Sequence, residues 1–123
     1  MTADPKRHRA WRLGRWGETA ARWRMRLAGY YILANRYQTP VGEIDLIARR
    51  GNTLVFIEVK ARRDPSSEGP PVTHRQRQRI ARAASLFLQR YPTHGDCEMR
   101  FDVISVHPWA WPRLIPDAWR VAD

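Results

Sequence analysis

A chain of 123 residues, 43% of them apolar and six of them Trp, can bury a single core without disulfides or a structural metal. Lone Cys97 excludes an internal bridge, no Cys/His spacing suggests zinc, and no stretch approaches the roughly 18 apolar residues that a membrane span needs. With 22 Lys and Arg against 12 Asp and Glu, the formal charge of +10 points to a polyanionic partner: nucleic acid first, an anionic membrane surface second, with a basic surface kept for solubility as the plain alternative.

Residues 1–14 (MTADPKRHRAWRLG) read as a mobile basic arm without the apolar stretch of an export signal, so the expected location is cytoplasmic. Residues 15–28 predict a helix, with Trp16, Ala20, Trp23 and Leu27 on one apolar stripe and Gly29 placed to end it. Glu18 lies off that stripe, next to Arg22. Residues 30–37 read as a strand, and Thr39-Pro40 marks a turn. Two apolar-rich runs follow, 43–49 (EIDLIAR) and 53–61 (TLVFIEVKA), separated by Gly51-Asn52, a two-residue hairpin signal. Residues 62–72 (RRDPSSEGPPV) form a loop by their Pro, Gly and Ser content, expected to order only when something binds.

A second helix spans residues 74–91, with Thr73 and Gln76 as a capping box and Pro92 as its stop. Ile80, Ala83, Ala84, Phe87 and Tyr91 give its buried stripe. Arg75, Arg77, Arg79 and Arg82 crowd its N-terminal half, as a grip on phosphates or as a solvated basic face. Residues 99–106 (MRFDVISV) make another strand, in which Asp102 reads as structural support for the sheet or for Arg100. The tail (WAWPRLIPDAW) adds a short strand and an aromatic flap, and most of the Trp residues are expected in core and flap. His74, His94 and His107 have no partners at ligand spacing.

The hairpin carries the chemistry. If Arg50 pairs with Thr53, then Asp45 stands opposite Glu58 and Glu43 opposite Lys60. Side chains alternate along a strand, so Glu43, Asp45, Ile47, Leu54, Phe56, Glu58 and Lys60 share one side. The other side, Ile44, Leu46, Ala48, Val55, Ile57 and Val59, is wholly apolar and must be core. Opposed Cβ atoms sit about 4.5–5.5 Å apart. Two carboxylates at that range raise each other's pKa unless a cation lies between them, and Mg²⁺ takes one or two carboxylates plus waters and phosphate. Lys60, one of only two lysines with Lys6, falls where an ammonium could orient a metal-bound water. The plain alternative is a Glu43–Lys60 ion pair beside solvated Asp45 and Glu58, and for Glu18 a surface pair with Arg22.

Gly17-Glu18, GEIDLIAR (42–49), LVFIEVKAR (54–62), VTHRQRQRI (72–80), MRFDVISV and the final DAW together resemble the bacterial YraN-like family. That family falls in the restriction-endonuclease-like, or PD-(D/E)XK, nuclease superfamily and is similar to archaeal Holliday-junction resolvases. The resemblance covers nearly everything after the N-terminal arm. It implies an α/β fold of three layers, a central mixed β-sheet flanked by helices, as one domain over residues 15–123. It implies an endonuclease dependent on Mg²⁺ or Mn²⁺, with DNA favoured over RNA and branched or repair intermediates as candidate substrates. The other function in keeping with it is a nucleic-acid-binding protein that retains the fold without turnover. By the same resemblance Glu18, Asp45, Glu58 and the main-chain carbonyl of Val59 would face the metal, and Lys60 would be the catalytic lysine. The second helix and the loop before it, with Arg62, Arg63, Arg75, Gln76, Arg77 and Arg79, would face the nucleic acid. Ile44 stands where the superfamily has proline. Gln76 stands where the family generally has lysine, which would pass phosphate contact to Arg75 or Arg77. Relatives of the resolvase kind dimerise, but no self-complementary patch is legible, so monomer and homodimer both stay open.

Overall fold

The computed structural model describes residues 5–61 and 72–120. Its elements run α1 (Pro5–Leu27), β1 (Tyr31–Thr39), β2 (Gly42–Arg50), β3 (Thr53–Ala61), α2 (His74–Arg90), a 3₁₀ turn (Pro92–His94), β4 (Glu98–Val106) and β5 (Arg113–Trp119). The strands form one sheet in the order β1-β2-β3-β4-β5. Every neighbouring pair is antiparallel except β3 and β4, which are parallel. A parallel pair needs a long crossover, and α2 lies in it.

Helices cover both faces of the sheet. Ala21 and Met25 of α1 close over Leu46, Ala48, Val55, Ile57, Ile104 and Val106. Ile80, Ala83, Ala84 and Phe87 of α2 close over Ile47, Leu54, Phe56, Phe101 and Val103. This is an α/β fold of three layers, the arrangement of a restriction-endonuclease-like domain.

The β2–β3 hairpin has the counted register, from Arg50 opposite Thr53 to Leu46 opposite Ile57. Gly51 takes the left-handed φ of 58° that the tight turn requires. Strict alternation fails at one place. Ile44 packs in the α2-side cluster with Ile47, instead of sharing the α1 side with Leu46 and Ala48. The parity changes at Asp45.

In α2 the expected caps are present. Thr73 Oγ1 accepts from the Gln76 backbone N–H at 3.2 Å, and Gln76 Oε1 accepts from the Thr73 N–H at 3.0 Å. Tyr91, counted in the buried stripe, is instead largely exposed, with its ring tilted on Phe87.

Helix α1 departs further from expectation. Its backbone is helical from Pro5, so residues 5–14 continue the helix expected to begin at Arg15, while residues 1–4 lie outside the described part. Proline suits a first helical turn, where its missing N–H is no loss. The buried face is also different: Gly17, Glu18, Ala21 and Met25 turn inward, and Trp16, Trp23 and Leu27 turn out. The reason is distance. A Cβ built on Gly17 would lie 3.4 Å from the Ala61 Cβ and 3.6 Å from Val59 Cγ1, so small residues set how closely α1 lies on the sheet. Trp16 and Trp23 could not enter that contact. The tryptophans as a group follow suit: of those whose side chains are described, Trp119 alone is buried, and Trp109 and Trp111 of the expected flap are exposed.

Asp102 is fully buried and structural, as expected. It accepts two hydrogen bonds from Arg100, at 2.9 and 2.8 Å, and one from the Asp117 N–H at 2.9 Å, tying β4 to β5.

The second close approach, at Gly42, fixes α2 on β2. A Cβ there would lie 2.4 Å from the Arg79 carbonyl oxygen, a backbone atom that moves only with its helix. Gly42→Ala is therefore expected to destabilise the fold by about 1–3 kcal/mol, the usual cost of overpacking, read as a lower urea midpoint with unchanged slope. An unchanged midpoint would show that α2 is not held at this point.

Candidate functional site

Past Leu46 and Ile57 the β2–β3 ladder stops. Each strand keeps its other neighbour: β2 stays paired to β1 down to Gly42, and β3 stays paired to β4 up to Ala61. The two central strands therefore part and leave a notch. Asp45 and Glu58, counted as an opposed pair, lie one residue beyond the last paired positions, at the notch instead of within a ladder. Asp45 Oδ2 accepts from the Val59 N–H at 2.8 Å, supplying the acceptor that this amide lacks once the backbone pairing ends.

A cleft of about 250 Å³ opens here, lined by Glu43, Asp45 and Glu58 from the sheet and by Gln76, Arg79 and Ile80 from α2. Lys60 Nζ lies 3.5 Å from Glu58 Oε1, and no ion pair joins Lys60 to Glu43, so the plain cross-strand alternative does not form. The Lys60 pair is partly screened by solvent.

The electrostatics are those of crowded carboxylates. Burial, then the charge of Glu58, pushes the Asp45 carboxyl up to about 8; Glu18 and Glu43 add to the rise, and the Val59 N–H opposes it. Burial also raises Glu58, while the Lys60 ammonium opposes that rise. A proton shared between the two carboxyls fits both directions.

Glu18 is buried and reaches this neighbourhood from α1, yet its partner is not Arg22, which donates to Thr19 Oγ1 instead. Arg36 Nε donates to both Glu18 oxygens, at 3.1 and 2.8 Å. Arg36 sits mid-strand at a φ of 54°, a left-handed conformation that costs a non-glycine residue roughly 1–3 kcal/mol and persists where its surroundings impose it. It was missed in the sequence, although a signal existed. The turn in which Thr39 pairs with Gly42 places Arg36 across from Asp45 by simple counting.

The residues read as facing nucleic acid divide. Gln76 and Arg79 line the cleft, and Arg75 is exposed on the same helix. Arg77 turns away, its guanidinium 5.9 Å over the Trp119 ring, so it takes no part in the cleft. Arg62 and Arg63, with the loop expected to order on binding, lie outside the described residues except for Val72, which is buried in the α2-side core.

Among the described residues no three His, Cys, Asp or Glu side chains converge as a preformed metal cluster. The donor set nonetheless suits a hard divalent cation, which needs only one or two carboxylates with water and substrate oxygens. Asp45 and Glu58 offer those oxygens, and their pKa values, raised first by burial and then by neighbouring acids, mark charges that a bound cation would stabilise.

Fold and notch together define an α/β domain of the nuclease-like kind with a buried carboxylate pair beside a lysine. The chain belongs to the uncharacterised protein family UPF0102, the YraN-like family, whose model matches residues 17–106. It is 47% identical to a UPF0102 protein of Parvibaculum lavamentivorans over 90% of this chain and 84% of that one. It is 45% identical to one of Mesorhizobium japonicum over 92% and 90%. A relative from Paramagnetospirillum magneticum is 44% identical over 98% of both chains. No helix among the described residues is long and apolar enough to cross a membrane.

In the fold the Asp45 carboxyl keeps its proton up to about pH 8, whereas the unfolded chain releases it near 4, so stability falls as pH rises through that window. Asp45→Asn keeps an acceptor for the Val59 N–H and removes the charge. In EDTA it should exceed the wild type by at least about 1 kcal/mol above pH 8 and match it near pH 4, measured by urea unfolding. Parallel profiles would mean that Asp45 ionises as an ordinary carboxylate.

Proposed function

We propose that the protein is a metal-dependent endonuclease that hydrolyses nucleic-acid phosphodiester bonds, DNA in preference to RNA, with branched or repair intermediates as candidate substrates. The observation that carries this reading is the notch where β2 leaves β3, with Asp45, Glu58 and Lys60 on the sheet and Arg79 across the cleft. Asp45, Glu58 and the main-chain carbonyl of Val59 would hold Mg²⁺ or Mn²⁺, and Glu18 would join them only on leaving Arg36. When bound, such an ion supplies charge neutralisation at the phosphate and a lower pKa for a coordinated water.

The chain's own groups do the rest. Lys60 opposes the rise in the Glu58 pKa and would turn an N–H towards the attacking water or a non-bridging phosphate oxygen. Arg79 and Gln76 fix the phosphate against the opposite wall. The water oxygen bonds to phosphorus, the bond to the sugar 3′-oxygen breaks, and a 5′-phosphate and a 3′-hydroxyl result.

The engagement of Glu18 with Arg36 favours a second reading, a nucleic-acid-binding module that keeps the nuclease fold without turnover. Duplex, single-stranded and four-way DNA with Mn²⁺ separates the two. Cleavage of at least one substrate, reduced at least about a hundredfold in Lys60→Ala and Glu58→Gln with binding in EDTA retained, is expected of the enzyme. Tight, salt-dependent binding with no cleavage of any substrate would leave only the binding module.

A further inference from the structure

Trp16, Trp23 and Leu27 lie along α1 on the side away from the sheet, with Ala20 of the same stripe packed at the edge of the core. Trp16 is 44% exposed, Trp23 58% and Leu27 67%. Single exposed apolar side chains are ordinary, but a row containing two tryptophans marks a surface that meets something.

Its surroundings say what. Helix α1 carries eight Lys and Arg and a single acid, Glu18, which is buried and neutralised by Arg36. Arg26 lies 5.6 Å over the Trp23 ring. Arg24 reaches to the β4–β5 connection, its Nε donating to the Pro112 carbonyl at 3.3 Å and its guanidinium 6.0 Å over the exposed Trp111 ring. The aromatic row thus continues from the helix onto the neighbouring loop with arginines between the rings.

A second copy of this chain would set Arg22, Arg24 and Arg26 against their own counterparts, so the occupant is an anion. A lipid surface takes apolar groups on one level and cations on another, at the headgroups. Here guanidinium and indole share one level, and sinking Trp23 among acyl chains would carry Arg26 with it. Alternating rings and cations instead match alternating bases and phosphates. Seven residues of helix separate Trp16 from Trp23 by about 10 Å, and bases reach such rings only when they are not paired in a duplex.

We propose that this face of α1 is a second nucleic-acid surface, on which unpaired bases of a single strand stack against Trp16 and Trp23 while Arg22 and Arg26 contact its phosphates. It rests on the proposed function only in taking nucleic acid as the partner.

The test compares wild type with Trp16→Ala/Trp23→Ala by fluorescence anisotropy in EDTA, on labelled oligothymidylate and on a blunt duplex of equal length. The double variant should bind oligothymidylate at least about tenfold more weakly, change less than about threefold on the duplex, and unfold at the same urea concentration. Trp16→Phe/Trp23→Phe should recover most of the loss, which separates stacking from damage to the fold. Unchanged binding of oligothymidylate, or an equal loss on the duplex, overturns the proposal. So does binding to phosphatidylglycerol vesicles that the variant loses while its affinity for oligothymidylate holds. Hydrolysis is silent in EDTA, so an inactive protein in the Mn²⁺ assay bears on catalysis alone.

Discussion

A strand can be hydrogen-bonded to two neighbours only while their twists agree, and the centre of this molecule turns on the point where β2 ceases to satisfy that condition. Beyond Leu46 and Ile57, β2 follows β1 and β3 follows β4. The parting leaves amides without backbone partners, and the Asp45 side chain answers one of them at Val59. A carboxylate is thereby fixed at the mouth of the notch by the same event that opens it. Glu58 is brought to the opposite wall by a ladder to β4 that continues without interruption past it. The burial and the crowding of acids that raise Asp45 follow from sheet topology rather than from a flexible loop.

The two helices set the depth of that notch from opposite sides. Gly42 lets the α2 backbone come within a distance that any Cβ would block, which brings Gln76 and Arg79 over the acids. At Gly17 a Cβ would meet the Ala61 and Val59 side chains at ordinary contact distance, so α1 leaves room there for small residues only, and the next residue is Glu18. At Gly42 glycine is a requirement of space, not of backbone freedom, and among the described residues the left-handed glycines are Gly29 and Gly51, at the end of α1 and in the hairpin turn. The left-handed residue beside the site is Arg36, whose backbone strain is offset by the ion pair it makes with a buried carboxylate.

What could be read in the sequence was local. The hairpin register follows from a two-residue turn and a count, the α2 boundaries from Thr73, Gln76 and Pro92, and the fold class from these together with the family motifs. What could not be read depended on contacts between layers. Periodicity finds an apolar stripe on α1 correctly, but cannot tell whether the stripe or the Gly17–Ala21–Met25 line faces the sheet, because burial is decided by the approach distance and not by hydrophobicity alone. Ile44 was assigned to the wrong face for a related reason: alternation presumes a regular strand, and β2 changes parity at Asp45. Arg77 looked equivalent to Arg79 in a run of arginines, yet two residues along a helix turn a side chain to another face, here towards Trp119.

The charge distribution sharpens the functional reading. A chain of +10 draws a polyanion from a distance, but the notch itself presents Glu43, Asp45 and Glu58, which repel a phosphate at close range. Attraction outside and repulsion inside are useless to a protein that only binds, since the acids subtract from affinity and their burial subtracts from stability. They make sense together if something positive takes its place between the acids and the phosphate, so that the incoming backbone meets a net cationic site. Lys60 alone is too little for that, being already engaged with Glu58. The cost carried by Asp45 without a cation thus supports the proposal of a cation at this site.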